Sequence, residues 1–200
     1  MAFPFLTIFL LFLGFLSYNR MKTIKKEQAI QEAFWHKEEE ANATRRKDIS
    51  SLPYIAIPLH TLPFEVHPGD EELSRCEEGV RALSEQKILN LTGLSNTELK
   101  LTYGAANLTF LSQCDQNFTD LVRLMQQWGA RLYELALPSQ AQQVLSLSIG
   151  WGSDIKGSYL LLAQIYKESG QWDKLPQLKE RASHLKSLMK EPILAALEQM

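Results

Sequence analysis

The chain has 200 residues and a mass of 22.8 kDa, which suits one domain or one domain with an appendage. Its 21 Lys and Arg residues against 23 Asp and Glu residues give a net charge of -2. That balance argues against a nucleic-acid-binding protein. Two cysteines are too few for a disulfide-rich scaffold or for a zinc site made of cysteines alone.

The first predicted element is an apolar segment at residues 2–18. It contains five Phe, five Leu and one Ile, and no charged residue. Each of these side chains favours the bilayer centre by about 0.3–0.6 kcal/mol. A helix of this length reaches about 26 Å of the ~30 Å hydrocarbon core. We therefore predict a transmembrane anchor over residues 1–19, with the lipid bilayer as its partner.

Positive charges follow this segment and none precedes it. The nearby basic residues are Arg20, Lys22, Lys25 and Lys26. A signal peptide would have a basic start and a small-residue cleavage site, and neither is present. The positive-inside rule therefore predicts a single-pass protein of the cell membrane, with its N-terminus outside and its C-terminal body in the cytoplasm.

A charged stalk and a proline-spaced connector are predicted next, over residues 20–50 and 51–69. Residues 20–47 contain eight basic and five acidic residues without Gly or Pro, which favours a helix. Prolines then recur every five residues, which excludes a helix over residues 51–69: Pro53, Pro58, Pro63 and Pro68. Because the residues between the prolines are largely apolar, we expect an extended connector that packs along the helical body. A docking segment for another protein is the alternative.

Apolar residues recur at helical spacing from residue 70 onward, which predicts an all-α body over residues 70–200. Helices are expected over 71–89, from Ser95 or Asn96 to Leu111, from Asp115 or Asn117 to Ala136, from Pro138 to Ile149, from Ile155 to Gly170, from Trp172 to Leu188, and over 191–199. Pro138 suits the first turn of a helix, and Gly170 suits the end of one.

An internal repeat of 34 residues runs through the later predicted helices. Gly129 and Ala163 are 34 residues apart, and at the same offset Leu132 matches Tyr166. This pattern resembles the tetratricopeptide repeat, a pair of helices with small residues where the two helices cross. Residues 158–172 match best. The resemblance implies a stack of antiparallel helix pairs, an α-α superhelix, to which the upstream helices add an irregular pair.

The chain as a whole also resembles an uncharacterised family of bacterial, single-pass, membrane-anchored proteins. The resemblance is carried by the apolar span with its basic flank, by Leu52–Leu59 and by Leu91–Gly104. It implies a tethered helical body and no particular activity.

The resemblance to the tetratricopeptide repeat also implies a partner-binding groove lined by the first helix of each pair. The side chains expected there are Arg123, Gln126, Tyr133, Glu134, Gln164, Lys167 and Glu168. A mixed polar lining suits a peptide or a partner helix. We therefore predict a membrane-anchored protein-interaction module, a scaffold or adaptor with a protein or peptide partner and no nucleic acid.

No catalytic, cofactor-binding or metal-binding residues are predicted. The phosphate-binding and nucleophile-elbow motifs are absent, and the four histidines form no pair at helical spacing. Cys76 and Cys114 are expected to be buried thiols. Two alternatives remain open. One is an enzyme with a site between the repeats and the connector. The other is a secreted or luminal glycoprotein, suggested by acceptor sequences at Asn42, Asn90, Asn107 and Asn117.

Overall fold

A computed structural model describes residues 4–200, with side chains described from residue 8 onward. The helices are α1 (Pro4–Ala43), α2 (Glu71–Ser84), α3 (Asn96–Tyr103), α4 (Leu108–Glu134), α5 (Pro138–Gly150), α6 (Lys156–Glu168), α7 (Lys174–Ser183) and α8 (Lys190–Glu198). Short 3-10 turns occur at Leu59–Thr61 and Ala105–Asn107. Between residues 4 and 200 there is no strand, so the predicted all-α class is confirmed.

The chain divides into two compact units. Unit 1 contains Met1–Lys47 and Asn96–Asn107, and therefore holds α1 and α3. Unit 2 contains Asp48–Ser95 and Leu108–Met200, and therefore holds the connector and the remaining helices.

Helix α1 of unit 1 is continuous from Pro4 to Ala43. It includes most of the predicted anchor and the predicted stalk, which loses its helical form before residue 50. Residues 1–3 of the predicted anchor, and the side chains of residues 4–7, lie outside the described residues. Among the helices that are described, none is long and apolar enough to cross a membrane.

The contacts between α3 and α1 centre on Glu38. Its carboxylate accepts a hydrogen bond from Lys100 Nζ at 2.8 Å and another from the Thr97 hydroxyl. Lys100 Nζ also donates to the side-chain oxygen of Asn42 at 2.8 Å. The hydrogen bond from Lys100, followed by that from Thr97, lowers the pKa of Glu38 below its usual value. These bonds fix α3 against the C-terminal end of α1.

Helix α3 ends at Tyr103, although the sequence predicted a helix through Leu111. Gly104 has a positive φ of 92°, which interrupts the helix. Its N–H donates to the carbonyl of Lys100 at 2.7 Å. The predicted boundary was therefore wrong because a glycine at a helix end was read as a helix-interior residue.

Helix α4 begins at Leu108, so the predicted start at Asp115 or Asn117 was also wrong. Both side chains lie inside the helix and bind the loop that follows α2. Asp115 Oδ1 accepts the N–H of Leu91 at 2.9 Å, and Asn117 Nδ2 donates to the carbonyl of Lys87 at 2.9 Å. Residues that resemble helix caps thus satisfy the backbone of a neighbouring loop.

Two further helices end earlier than predicted. Helix α2 ends at Ser84 and not near residue 89, because the buried Ile88 and Leu89 belong to the loop held by α4. Helix α7 ends at Ser183, and Leu188 beyond it is almost fully exposed. Helix α5 begins at Pro138 as predicted, with the proline in its first turn.

The core of unit 2 surrounds Trp128, which is fully buried in α4. The connector packs against this core, as its apolar residues predicted. Leu62 is buried there, and the Phe64 ring lies 5.0 Å from the Trp128 ring, centroid to centroid. The N–H of Ile55 donates to the carbonyl of Ile88 at 2.9 Å. The connector is thus an integral layer of unit 2.

A buried carboxylate holds the connector beside α2. Glu65 has a positive φ of 59°, and its N–H donates to both oxygens of Glu77 at 3.0 and 3.2 Å. Burial raises the pKa of Glu77. The Arg81 guanidinium lies 4.1 Å from the centroid of the Phe64 ring and also pairs with Glu65. These contacts compensate for the unfavourable backbone conformation at Glu65.

Asp70 connects the start of α2 to α4. Its side chain caps α2 by accepting the N–H of Leu73 at 2.9 Å. Arg131 also donates to the Asp70 carboxylate, from Nη2 to Oδ2 at 2.7 Å and from Nε to Oδ2 and Oδ1 at 3.1 and 3.3 Å. The hydrogen bond from Arg131 is the main reason that the pKa of Asp70 is lowered to about 2.

Candidate partner-binding surface

The helices that carry the predicted groove residues lie side by side in unit 2. Helix α4 packs closely on α5 at Gly129, where a Cβ atom would lie 2.6 Å from Leu145 Cδ2. Helix α6 follows, with Ala163 fully buried. A Cβ atom on Gly157 of α6 would lie 3.5 Å from Gln126 Nε2 of α4. Polar residues of α4 therefore meet α6 directly.

Three predicted groove residues form a hydrogen-bonded cluster on α4 and α6. Tyr133 Oη lies 2.8 Å from each carboxylate oxygen of Glu168 and donates to that group. Gln164 Nε2 donates to Tyr133 Oη and to Glu168 Oε1, each at 2.9 Å. All three side chains retain solvent exposure, so the cluster is a pre-ordered part of the surface.

The cluster shifts two pKa values in opposite directions. The hydrogen bond to Glu168 raises the pKa of Tyr133, because it is made by the protonated phenol and the neighbouring negative charge opposes ionisation. The bonds from Gln164 and Tyr133 lower the pKa of Glu168. At neutral pH the surface therefore carries a carboxylate that neutral donors hold in place.

The other predicted groove residues make different contacts. Gln126 lies beside Gly157, as described above. Glu134 accepts a bond from Arg131 Nη1 at 2.9 Å, which draws it toward the ion pair at the start of α2. Lys167 Nζ lies 5.9 Å from the centroid of the Trp172 ring. Arg123 is an exposed residue of α4.

The sequence prediction of the groove did not include Trp172, which contacts the predicted groove residue Lys167. The sequence predicts a helix that begins at Trp172, but the residue precedes α7 and is 59% exposed. Gly170, with a positive φ of 72°, marks the turn and was the available signal. Trp172, Lys167 and the C-terminal residue Met200 line a cavity of about 170 Å³. We name the group Gln126, Tyr133, Gln164, Lys167, Glu168 and Trp172 the α4–α6 surface.

The histidines and cysteines do not gather into a site. All four histidines are exposed, whereas both cysteines are free thiols buried in unit 2. Burial raises the pKa of Cys76 to about 11 and raises that of Cys114 as well. From residue 4 to residue 200, no three His, Cys, Asp or Glu side chains are grouped so that they could hold a metal ion.

The four possible glycosylation sites differ in accessibility. Asn107 is 1% exposed, and its Nδ2 donates to the carbonyls of Lys47 and Tyr103 at 2.8 and 2.7 Å. Asn117 is also buried, and its Nδ2 donates to the loop after α2. A glycan is attached through this nitrogen, so neither residue is an acceptor in the folded chain. Asn90 is half-buried and Asn42 is exposed.

Comparison with protein-family models, curated proteins and solved structures found no match to this chain. The resemblance to the tetratricopeptide repeat therefore stays a prediction from the sequence, and the function has to be argued from the residues themselves.

Proposed function

We propose that this protein is a membrane-anchored protein-interaction module whose α4–α6 surface binds a partner protein. The anchor would be the uncharged segment at residues 2–18. Within it, the side chains of the large apolar residues from Ile8 to Leu16 are between 42% and 72% exposed, on every side of α1. A helix that is apolar all round is stable when lipid or protein covers it, because exposed apolar surface is unfavourable in water.

The orientation in the membrane follows from charge. The first basic residues after the apolar segment are Arg20 and Lys22, and residues 20–47 carry a net charge of +3. Basic residues next to a span are retained on the cytoplasmic side and attract anionic lipid headgroups. The proposal therefore locates the body of the protein in the cytoplasm, next to the inner face of the membrane.

Two observations carry the binding proposal: the pre-ordered cluster of Tyr133, Gln164 and Glu168, and the exposed Trp172 just after α6. Exposed tryptophans are frequent energetic centres of protein interfaces. Here Trp172 lies beside Lys167, which adjoins Glu168 in α6. A partner segment with one apolar anchor and adjacent hydrogen-bond donors would complement this surface. Because the cluster is already ordered, binding would lose little side-chain entropy.

The repeat interpretation gives this surface a further rationale. Helices α4 and α5 form one consecutive pair, and α6 and α7 form the next. Gly129 and Ala163 occupy matching positions in α4 and α6, and both are buried. In a stack of helix pairs, the first helices of successive pairs form a continuous binding face. This arrangement supports the proposal that α4 and α6 share one function.

Replacement of Trp172 by alanine is expected to weaken partner binding about ten-fold or more, the usual loss at an interface hot spot. The full chain, solubilised from membranes of its source organism in mild detergent, is used as bait, and captured proteins are quantified by mass spectrometry. Trp35→Ala is the matched control, because Trp35 is 61% exposed and lies in α1 outside the surface. Recovery that falls equally in both variants, or in neither, contradicts the proposal.

Glu168→Gln gives a second, independent measurement on the same surface. It keeps the size of the side chain but removes the negative charge of the carboxylate whose oxygens accept hydrogen bonds from Tyr133 and Gln164. A protein that binds the α4–α6 surface should be recovered less well with Glu168→Gln as well as with Trp172→Ala. Unchanged recovery with both variants would place the binding site elsewhere.

A further inference from the structure

A second feature of unit 2 is a groove between α5 and α7. At its narrow end lies a cavity of about 70 Å³. The polar residues lining this cavity are Ser146, Tyr166, Lys174, Gln177 and Arg181. Ile149, Leu162 and Leu178 supply its apolar part. A cavity of this size has room for several water molecules or for one small anionic group.

The charge of this cavity is positive and uncompensated. No Asp or Glu lines it. Lys174 Nζ makes neutral contacts, a hydrogen bond to Gln171 Oε1 at 2.5 Å and an approach of 5.5 Å to the Tyr166 ring. In the part of the chain that the structure describes, neither Lys174 nor Arg181 forms an ion pair, whereas Arg131 pairs with three carboxylates.

The two positive charges at the cavity match the charge of a phosphate dianion better than that of a carboxylate. Arg181 and Lys174 are charged donors, and Gln177 adds an amide. The hydroxyls of Ser146 and Tyr166 share one hydrogen bond at 3.4 Å, which leaves one of the two hydroxyl hydrogens free to donate to a ligand. A carboxylate offers two acceptor oxygens, whereas a phosphate monoester offers three with a larger charge. The composition of the cavity therefore favours a phosphoryl group.

A larger groove of about 740 Å³ adjoins the cavity and shares Ser146 and Arg181 with it. Its other lining residues include Thr61, Ser139, Gln142, Gln143 and Trp151. Intramolecular hydrogen bonds order three of these side chains: Thr61 donates to the Pro58 carbonyl, Gln143 to the Thr61 carbonyl, and Gln142 exchanges bonds with Gln171. Their remaining hydrogen-bonding capacity suits the hydroxyls of a sugar, and an indole provides a flat apolar surface for a sugar ring or a base. No carboxylate lines this groove either. An organic group attached to the phosphate would extend into it.

We propose that the α5–α7 groove binds a sugar phosphate or nucleoside monophosphate. Its phosphoryl group would lie between Lys174 and Arg181, and its sugar would lie along Gln142 and Trp151. This site is separate from the α4–α6 surface and does not depend on the membrane anchor. It gives the protein a small-molecule ligand in addition to a protein partner.

Isothermal titration calorimetry on the full chain in detergent micelles tests this site at fixed ionic strength. The probes are ribose 5-phosphate, adenosine monophosphate, inorganic phosphate and unphosphorylated ribose. At least one ester is expected to bind saturably and about ten-fold more tightly than inorganic phosphate, and ribose is expected not to bind. The ester that binds more tightly identifies a sugar or a nucleoside as the preferred organic group.

Arg181→Gln and Lys174→Gln are each expected to weaken binding of that ester about ten-fold, the effect of losing one hydrogen bond to a charged group. Lys179→Gln is the matched control, since it removes an exposed positive charge of α7 that lines neither cavity of the groove. Circular dichroism verifies that each variant is folded. The proposal is overturned if neither ester binds, if inorganic phosphate binds as tightly as both esters, or if the control loses as much affinity as Arg181→Gln.

Discussion

Trp128→Ala is expected to lower the free energy of unfolding of unit 2 by about 3–5 kcal/mol, the usual cost of removing a buried aromatic side chain. The indole is fully buried in α4 and contacts the Phe64 ring of the connector. Its loss would leave a cavity and separate the connector from the helices. Urea unfolding of the full chain, followed by circular dichroism, measures the change.

Trp128→Phe is the control for this prediction. The indole Nε1 is buried and has no hydrogen-bond partner among the described residues, so the tryptophan stabilises unit 2 by packing alone. Phenylalanine retains an aromatic ring at the same position and should cost markedly less than alanine. If both variants lose the same stability, then the ring is not the stabilising feature and the central role of Trp128 in the core is wrong.

Gly104→Ala is expected to release α3 from α1 in unit 1. A Cβ atom on Gly104 would lie 2.3 Å from the carbonyl oxygen of Arg45 and 2.7 Å from Arg46 Cα. Both neighbours are backbone atoms that cannot rotate away. The positive φ adds a strain of about 1–3 kcal/mol for a residue with a side chain. Hydrogen exchange of the α3 amides should therefore accelerate by a factor of about 30, which corresponds to roughly 2 kcal/mol.

Gly170→Ala separates the backbone strain of a positive φ from the steric clash of the added Cβ atom. Gly170 also has a positive φ, but a Cβ atom there would meet no atom within 4 Å. It should therefore show the backbone strain without the clash, and the exchange of nearby amides in α6 and α7 should change less. Equal effects of the two substitutions on their neighbouring helices would mean that the contact with Arg45 and Arg46 does not constrain unit 1.

The sequence was sufficient to predict features that depend on local chemistry. Helical spacing identified the all-α class, Pro138 identified the start of α5, and apolar residues between prolines identified a connector that packs on the core. The prediction errors occurred where contacts with a segment distant in the sequence determine the local structure. Asp115 resembles a helix cap, but its carboxylate accepts a hydrogen bond from the N–H of Leu91 in the loop after α2. Competition of this kind between local and tertiary hydrogen bonds has no signature in one sequence.

For the candidate site, too, the sequence predicted some features and missed others. Tyr133, Gln164 and Glu168 were predicted to share a surface and are hydrogen-bonded to one another, whereas the 34-residue repeat from which they were predicted stays a prediction. Trp172 was missed because the turn after α6 had been included in the next helix. The α5–α7 groove could not be predicted either. Tertiary packing of three helices brings its residues together, and they share no spacing that a sequence motif would reveal.

Alkaline carbonate extraction of membranes tests the proposed function most directly, because a membrane-anchored module requires the tether at residues 2–18. The full chain is expressed in a bacterial host beside Leu11→Arg, which places a charge in the middle of the apolar segment at a cost of about 3 kcal/mol in the bilayer centre. The full chain is expected to stay in the membrane pellet, and Leu11→Arg is expected to be released in part or completely. Recovery of the unaltered chain in the soluble fraction would contradict the proposed function.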